Sequence, residues 1–354
     1  MHNYVTTKSA PKVPATPVAI VGARGYSGLE LARLLMRHPE ANLVACYGHD
    51  KNFSLSDVFS GTNLPPVLPL EQLGKTEAKT VFLATPAEAS LELAPALLAR
   101  GINVIDLSGA FRLEAKNYPQ WYGLAHPQAR LLTQACYGLV PFAGPARDKP
   151  ALIANPGCYA TSVLMALIPL LKKNLIQKDS IVIDAKSGTT GAGKKAAENL
   201  LHAEVEGECL PYRVGRHQHL PEITRYLNTF GGTEIDLAFT THLLPVRRGI
   251  ICSIYARPEP GVTAAQIRDA FHEAYANYPL AEWSEIQNDT KNWQLSLNRV
   301  VGSPRVQLAY SVSGNRLYLF SLIDNLLKGA ASQAIENFNR LQDLPVTTGL
   351  DPNG

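Results

Sequence analysis

One of the five cysteines is set for covalent chemistry by its neighbours. In Asn155-Pro156-Gly157-Cys158-Tyr159-Ala160-Thr161 a short apolar run stops at a Pro-Gly bend, and an apolar helical stretch (residues 163–171) begins at once. Cys158 therefore falls at a helix N-terminus, where free amides and the dipole favour thiolate and are expected to lower its pKa. A thiolate both attacks and leaves well, as acyl transfer requires. Cys46, Cys136, Cys209 and Cys252 lack such a setting and read as packing residues. A proton carrier stands in Tyr212-Arg213-Val214-Gly215-Arg216-His217-Gln218-His219-Leu220-Pro221-Glu222. If that segment is extended, His217 and His219 share a face. A histidine of near-neutral pKa there can protonate an alkoxide and recover the proton. The other partner of the pair is then structural, tied to Glu222, and the residues leave open which is which.

Two further clusters suit anions. The run from Asp184 to Lys194, with Ser187, Gly188 and Lys194, combines small residues, hydroxyls and cations after a strand, but lacks P-loop spacing. Arg112, in Asp106-Leu107-Ser108-Gly109-Ala110-Phe111-Arg112, can grip a carboxylate or phosphate through two nitrogens. Gly22-Ala23-Arg24-Gly25-Tyr26-Ser27-Gly28 lies between a strand and a helix and can bring backbone close to a pyrophosphate. The second strand ends at Tyr47-Gly48-His49 without the acid that binds an unmodified ribose; Asp50 comes late beside Lys51, which leans toward NADP.

The elements that must hold these groups alternate strand and helix in the first half. Strands are predicted at residues 17–21, 42–47, 80–84, 103–107 and 151–154, helices at 26–37 and 88–100, and a Pro-rich loop at 64–70. Such alternation predicts a parallel sheet covered on both faces, a Rossmann-type α/β domain. Beyond Cys158, strands at 180–185, 236–243 and 250–255, with helices near 220–227 and 263–278, suggest an α+β domain. A last helix, 325–341, returns its apolar stripe to the first domain. The predicted division is a disordered tail over 1–16, a nucleotide domain over 17–157 and 325–354, and a catalytic and dimerisation domain over 158–324.

Composition narrows the function classes. A chain of 354 residues with 46% apolar and 18% charged residues is normal for packed domains, and no apolar run approaches bilayer length. A net charge of +3 with scattered cations gives no case for nucleic acid or a membrane surface. The cysteines form no CxxC pair and no metal-ligand spacing, so no metal is expected and a reduced, cytoplasmic setting is.

Taken in this order, the segments resemble the N-acetyl-gamma-glutamyl-phosphate reductase family, within the aspartate-semialdehyde dehydrogenase superfamily. The likeness spans residues 17–341 and rests on the motifs above. It rests also on Thr241-His242-Leu243-Leu244-Pro245 with Arg248-Gly249, and on Asp324-Asn325-Leu326-Leu327-Lys328-Gly329-Ala330. The resemblance implies NADP(H), a homodimer or homotetramer, a Cys158 thioester formed from an acyl phosphate, and cofactor contacts from Gly22, Gly25, Tyr26, Ser27, Gly28, Ser187, Gly188 and Asn325. Arg112, Asn155, Lys194, Tyr212 and Glu222 are the expected substrate residues. The chain departs from the family pattern at Ala110, where an acid is usual, and at Pro86-Ala87, where Pro-His is common. Sister reductases of aspartyl phosphate or carrier-linked aminoadipyl phosphate, and a silent NADP-binding regulator, are the competing readings.

Overall fold

Seven strands build the first sheet: β1 Thr16–Val21, β2 Ala41–Gly48, β3 Val67–Pro69, β4 Thr80–Leu83, β5 Asn103–Asp106, β6 Cys136–Tyr137 and β7 Leu152–Ala154. All pair in parallel, in the order β3-β2-β1-β4-β5-β7-β6. Every residue of β4 and β7 is buried, the pattern of strands covered on both faces. The computed structural model describes residues 15–50, 52–144, 146, 149–232, 234–286 and 295–351. Most of the expected tail lies outside these; Thr16 pairs with Ala41, so β1 starts within the residues assigned to that tail. The stretch read as a loop over 64–70 contains β3. Its Pro69 is tolerated because β3 is the sheet's edge. The helix Tyr26–Leu35 buries Leu29, Leu31, Ala32 and Leu35, and the helix Ala87–Ala99 is closed by Gly101 at φ 76°.

The second sheet is mixed, in the order β12-β13-β14-β11-β8-β10-β9, from β8 Ile181–Gly188, β9 Leu210–Pro211, β10 Leu237–Leu244, β11 Ile250–Ala256, β12 Ala281–Glu285, β13 Val306–Ser313 and β14 Arg316–Ile323. The helix Cys158–Lys172 packs on β11, β13, β14 and on the helices His219–Gly231 and Ala264–Tyr275. Tyr255 pairs with Val182 on one side and Tyr318 on the other, so the three share a face; Val182 is 46% and Tyr318 37% exposed.

The C-terminal segment is not the single helix expected. Gly329 donates to the Asp324 carbonyl and Ala331 to that of Leu326, bonds that reach back five residues and widen residues Leu327–Ala331 into a turn of π-helix before the α-helix Ser332–Leu341. Asp324 caps the entry to this turn, its carboxylate accepting from the amides of Leu326 and Leu327. The α-helix lies against the helix Tyr26–Leu35 and β5, with His38 bonded to Asn339 (2.9 Å) and Thr16 to Gln342 (2.9 Å). Among the described residues no helix is long and apolar enough to cross a membrane.

Candidate active site

Cys158 opens its helix as expected, with Gly157 as N-cap in extended backbone and no side chain capping the first turn. The amides of Cys158 and Tyr159 face the sulfur and, with Arg112, pull its pKa down. Burial is the larger effect and pushes the thiol up to about 11, so the expected lowering does not hold in the free protein. Cys158 nevertheless keeps partial access to solvent. Of the packing residues, Cys46 and Cys252 are buried, whereas Cys209 is exposed.

His217 and His219 come together, but not by strand alternation. Gln218 is helical (φ −60°) and His219 starts the helix His219–Gly231. The turn sets the rings 4.9 Å apart and lets the His219 amide donate to His217 Nδ1 (3.1 Å). His217 is boxed by the rings of Tyr159, Tyr212 and Phe239 at 5.3, 5.6 and 5.7 Å. His219 instead points Nε2 at Gly157: a Cβ built there would sit 2.4 Å from that nitrogen. Its Nδ1 is buried without a hydrogen-bond partner. Burial pushes His217 down to about 2 and His219 to about 3, Arg213 adding to both, so the near-neutral value expected of a proton carrier is absent before substrate enters. His242, on the opposite face of β10 from Phe239, faces Asp184 at 3.1 Å.

Arg112 and Glu222 are turned inward and already engaged. Arg112 donates to the carbonyls of Asn155 (2.8 Å) and Leu107 (2.7 Å) and pairs with Glu222 at 3.5 Å. The other Glu222 oxygen accepts from Tyr137 Oη and the Gly157 amide, both at 2.8 Å. The knot thus ties the ends of β5 and β7 to the histidine helix and fixes Gly157, one residue before the sulfur. The Gly157 amide is spent there, leaving those of Cys158 and Tyr159 for a developing oxyanion. Asn155 is likewise held, donating to the Ala330 carbonyl (3.2 Å) and accepting from Asn337 (3.1 Å). Tyr212 is half-buried, its hydroxyl on that of Tyr159 at 3.1 Å.

The nucleotide end forms where the strand order reverses, between β1 and β4. Gly22 has φ 88°, and a Cβ there would meet the Ala84 carbonyl oxygen at 2.5 Å. A Cβ on Gly28 would meet the Gly22 oxygen at 2.3 Å, so the turn is closed tightly beneath the first helix. No side chain caps that helix and its first turn has no acid, leaving the amides around Tyr26, Ser27 and Gly28 for a pyrophosphate. Arg24 pairs with Asp50 (3.2 Å) just past β2. Ser187, Gly188 and Asn325 come together at the end of β8. Asn325 donates to Thr190 (3.0 Å) and accepts from the Gly249 amide (2.8 Å), and a Cβ at Gly191 would lie 3.1 Å from Ser187 Oγ. Exposed Lys194 stands 5.4 Å over the Tyr26 ring. Arg248 joins the two halves, bonded at 3.0 Å to both Glu30 and Asp324.

Sequence reasoning passed over Tyr137 and the role of Gly329, whose absent Cβ would lie 2.7 Å from that of Cys158. No local signal marks Tyr137; for Gly329 the glycine inside an otherwise apolar helical run was the available sign.

Known proteins share this layout. Residues 17–147 match a family model described as semialdehyde dehydrogenase, NAD binding domain, and residues 158–325 one described as semialdehyde dehydrogenase, dimerisation domain. Aspartate semialdehyde dehydrogenase II of Vibrio cholerae complexed with ASA superposes with a TM-score of 0.70 at 17% identity, covering 94% of this chain and 99% of that one. The aspartate semialdehyde dehydrogenase with NADP from Candida albicans gives 0.63 at 16%, covering 93% and 98%. These likenesses carry the fold. At the level of sequence, N-acetyl-gamma-glutamyl-phosphate reductase of Geobacillus stearothermophilus is 40% identical over 345 residues, 94% of this chain and 97% of that protein. That of Acidithiobacillus ferrooxidans (strain ATCC 53993 / BNL-5-31) is 38% identical over 340 residues, 94% and 96%. The chain belongs to the N-acetyl-gamma-glutamyl-phosphate reductase family.

Proposed function

We propose that the chain reduces N-acetyl-glutamyl 5-phosphate to N-acetyl-glutamate 5-semialdehyde and phosphate, a step of arginine biosynthesis, through a thioester on Cys158. The observation that carries the reading is the junction at Gly157, where a helix starts at Cys158 and where the Nε2 of His219 bears on the glycine that precedes the sulfur. In the free protein burial keeps the thiol and the imidazole both neutral. An entering anion raises the basicity of His219, which takes the Cys158 proton as the sulfur attacks the acyl carbonyl. Phosphate leaves, and the amides of Cys158 and Tyr159 hold the oxyanion. The glycine turn and Arg24 would hold NADPH, which would supply the hydride for reduction of the thioester. His219 gives its proton to the alkoxide so formed and recovers it as the semialdehyde departs and the thiolate returns. His217, boxed by aromatic rings and bonded to the His219 amide, is the positioning member of the pair.

The reading includes Ser187, Gly188 and Asn325 as the wall of the cofactor site and Lys194 as a cation for the substrate. It divides the chain into residues 17–157 with 325–354, and residues 158–324. Self-association as a homodimer or homotetramer through the uncovered face of the second sheet is supported by the exposure of Val182 and Tyr318 there. The reading includes a cytoplasmic setting, in keeping with an odd number of cysteines that form no CxxC pair. In the test, purified protein is given NADPH with N-acetyl-glutamyl phosphate or aspartyl phosphate. The first alone should drive NADPH oxidation, and Cys158→Ala should abolish it while NADPH still binds by fluorescence titration. Turnover of the Ala variant near the parental rate removes the covalent reading, and preference for aspartyl phosphate removes the substrate assignment.

A further inference from the structure

Lys328 and Glu336 are fully buried, and neither touches the reacting groups described above. Lys328 Nζ lies 2.7 Å from Glu336 Oε1, and the hydroxyl of buried Tyr278 bonds to both side chains. Burying two charges is costly, and a well-packed apolar pair of similar volume often serves stability as well or better. Stability alone therefore gives a weak reason for the arrangement. What distinguishes a buried ion pair is direction: it fixes one relative placement of its segments, whereas apolar contacts tolerate sliding.

The segments joined here matter to Cys158. Lys328 sits in the π turn, Glu336 on the α-helix that follows, and Tyr278 after the helix Ala264–Tyr275. The next residue along the π turn, Gly329, backs directly onto Cys158, and Ala330 next to it accepts from Asn155 in the cysteine loop. The π turn also packs on the helix Tyr26–Leu35 that begins the nucleotide site. A shift of this turn moves the wall behind the sulfur.

We propose that the Lys328–Glu336–Tyr278 triad is a positioning device for the nucleophile: it fixes the π turn whose Gly329 backbone sets the direction of the Cys158 thiol. The proposal rests on Cys158 being the nucleophile. Its test uses two variants of the full chain, Tyr278→Phe, which leaves the ion pair, and the double variant Lys328→Met/Glu336→Met, which removes both charges together. Melting temperature, kcat and KM are measured, with the pH profile of iodoacetamide alkylation read at the Cys158 peptide by mass spectrometry. The double variant should melt no lower than the parent and hold KM within about twofold, while kcat falls about tenfold and the alkylation profile shifts, because small misplacements of a reacting group are amplified in rate. Tyr278→Phe should show the same two changes at about threefold. Parental kcat and alkylation in a folded double variant overturn the proposal. If the double variant does not fold, parental values in Tyr278→Phe overturn it. Alkylation needs no turnover, so failure here is separable from failure of the nucleophile reading, which Cys158→Ala alone decides.

Discussion

Replacing Gly157 by Ala isolates the junction between thiol and imidazole. The backbone there is extended (φ −70°, ψ 155°), so alanine brings no conformational strain, and any effect comes from the added methyl. That methyl would lie 2.4 Å from His219 Nε2, 2.8 Å from its Cδ2 and 2.9 Å from Arg112 Nη1. Ordinary contact begins at 3.4 Å, so the imidazole must retreat about 1 Å. It cannot do so freely, since His217 and Tyr159 stand behind it and Arg112 is held by two carbonyls. A 1 Å misplacement costs about 10²-fold in rate, or about 2.7 kcal/mol of barrier. Overpacking should cost stability about 1–3 kcal/mol. The assay is phosphate-dependent reduction of NADP by the semialdehyde, followed as NADPH absorbance, alongside NADPH affinity and a thermal melt. The expected result is kcat down about 10²-fold with NADPH affinity unchanged. A folded variant with kcat within twofold of the parent would refute the assignment of His219 as the proton carrier.

The two histidines should separate in kinetics: His219→Asn should lose about 10²- to 10⁴-fold in kcat, and His217→Asn less, with a change in pH profile. Equal losses would mean that the pair acts as one unit. Because burial holds Cys158 up at about 11, its alkylation rate in the free protein should climb about tenfold per pH unit between about pH 7 and 10. A plateau near neutrality would show that the helix end prevails over burial. Stability carries a matching signature. The unfolded histidines take up protons near pH 6.5, whereas His217 and His219 in the folded state resist until about 2 and 3. Stability is thus full above about 6.5 and lost as pH falls toward 3. Melts of the parent and of His217→Gln/His219→Gln should diverge over that window; coincident curves would show that both rings protonate in the folded protein.

The first sheet was legible because β4 and β7 are buried along their whole length, and such runs between glycines and helices have one common reading. The hairpin of β13 and β14 went unread although its signal is present: apolar residues at alternate positions (Val306, Leu308, Tyr310 and Val312, then Leu317 and Leu319) on either side of Gly314-Asn315, with Gly314 at φ 57°. At the site, the helix start at Cys158 is a local fact and was visible, whereas its thiol pKa depends on burial against Gly329, brought from the far end of the chain. The histidines illustrate a third case. Their nearness was expected from alternation, yet a single helical residue, Gln218, produces it, and periodicity carries no sign of that turn. Arg112 and Glu222 read as hands for substrate because charged side chains usually face water. Only the fold reveals that they face each other.

The return of the C-terminus to the first sheet has a consequence for synthesis. Thr16 waits for Gln342 and His38 for Asn339, contacts 326 and 301 residues apart. While the chain is growing on a ribosome, the nucleotide half therefore cannot finish packing until residues 339–342 have emerged. The wall behind Cys158 arrives in the same final segment, since Gly329 lies within it. A chain cut short by premature termination would keep its cysteine and its glycine turn, yet never acquire the surface that joins them. Assembly of the reactive centre thus waits for a segment made after both of the halves that it joins.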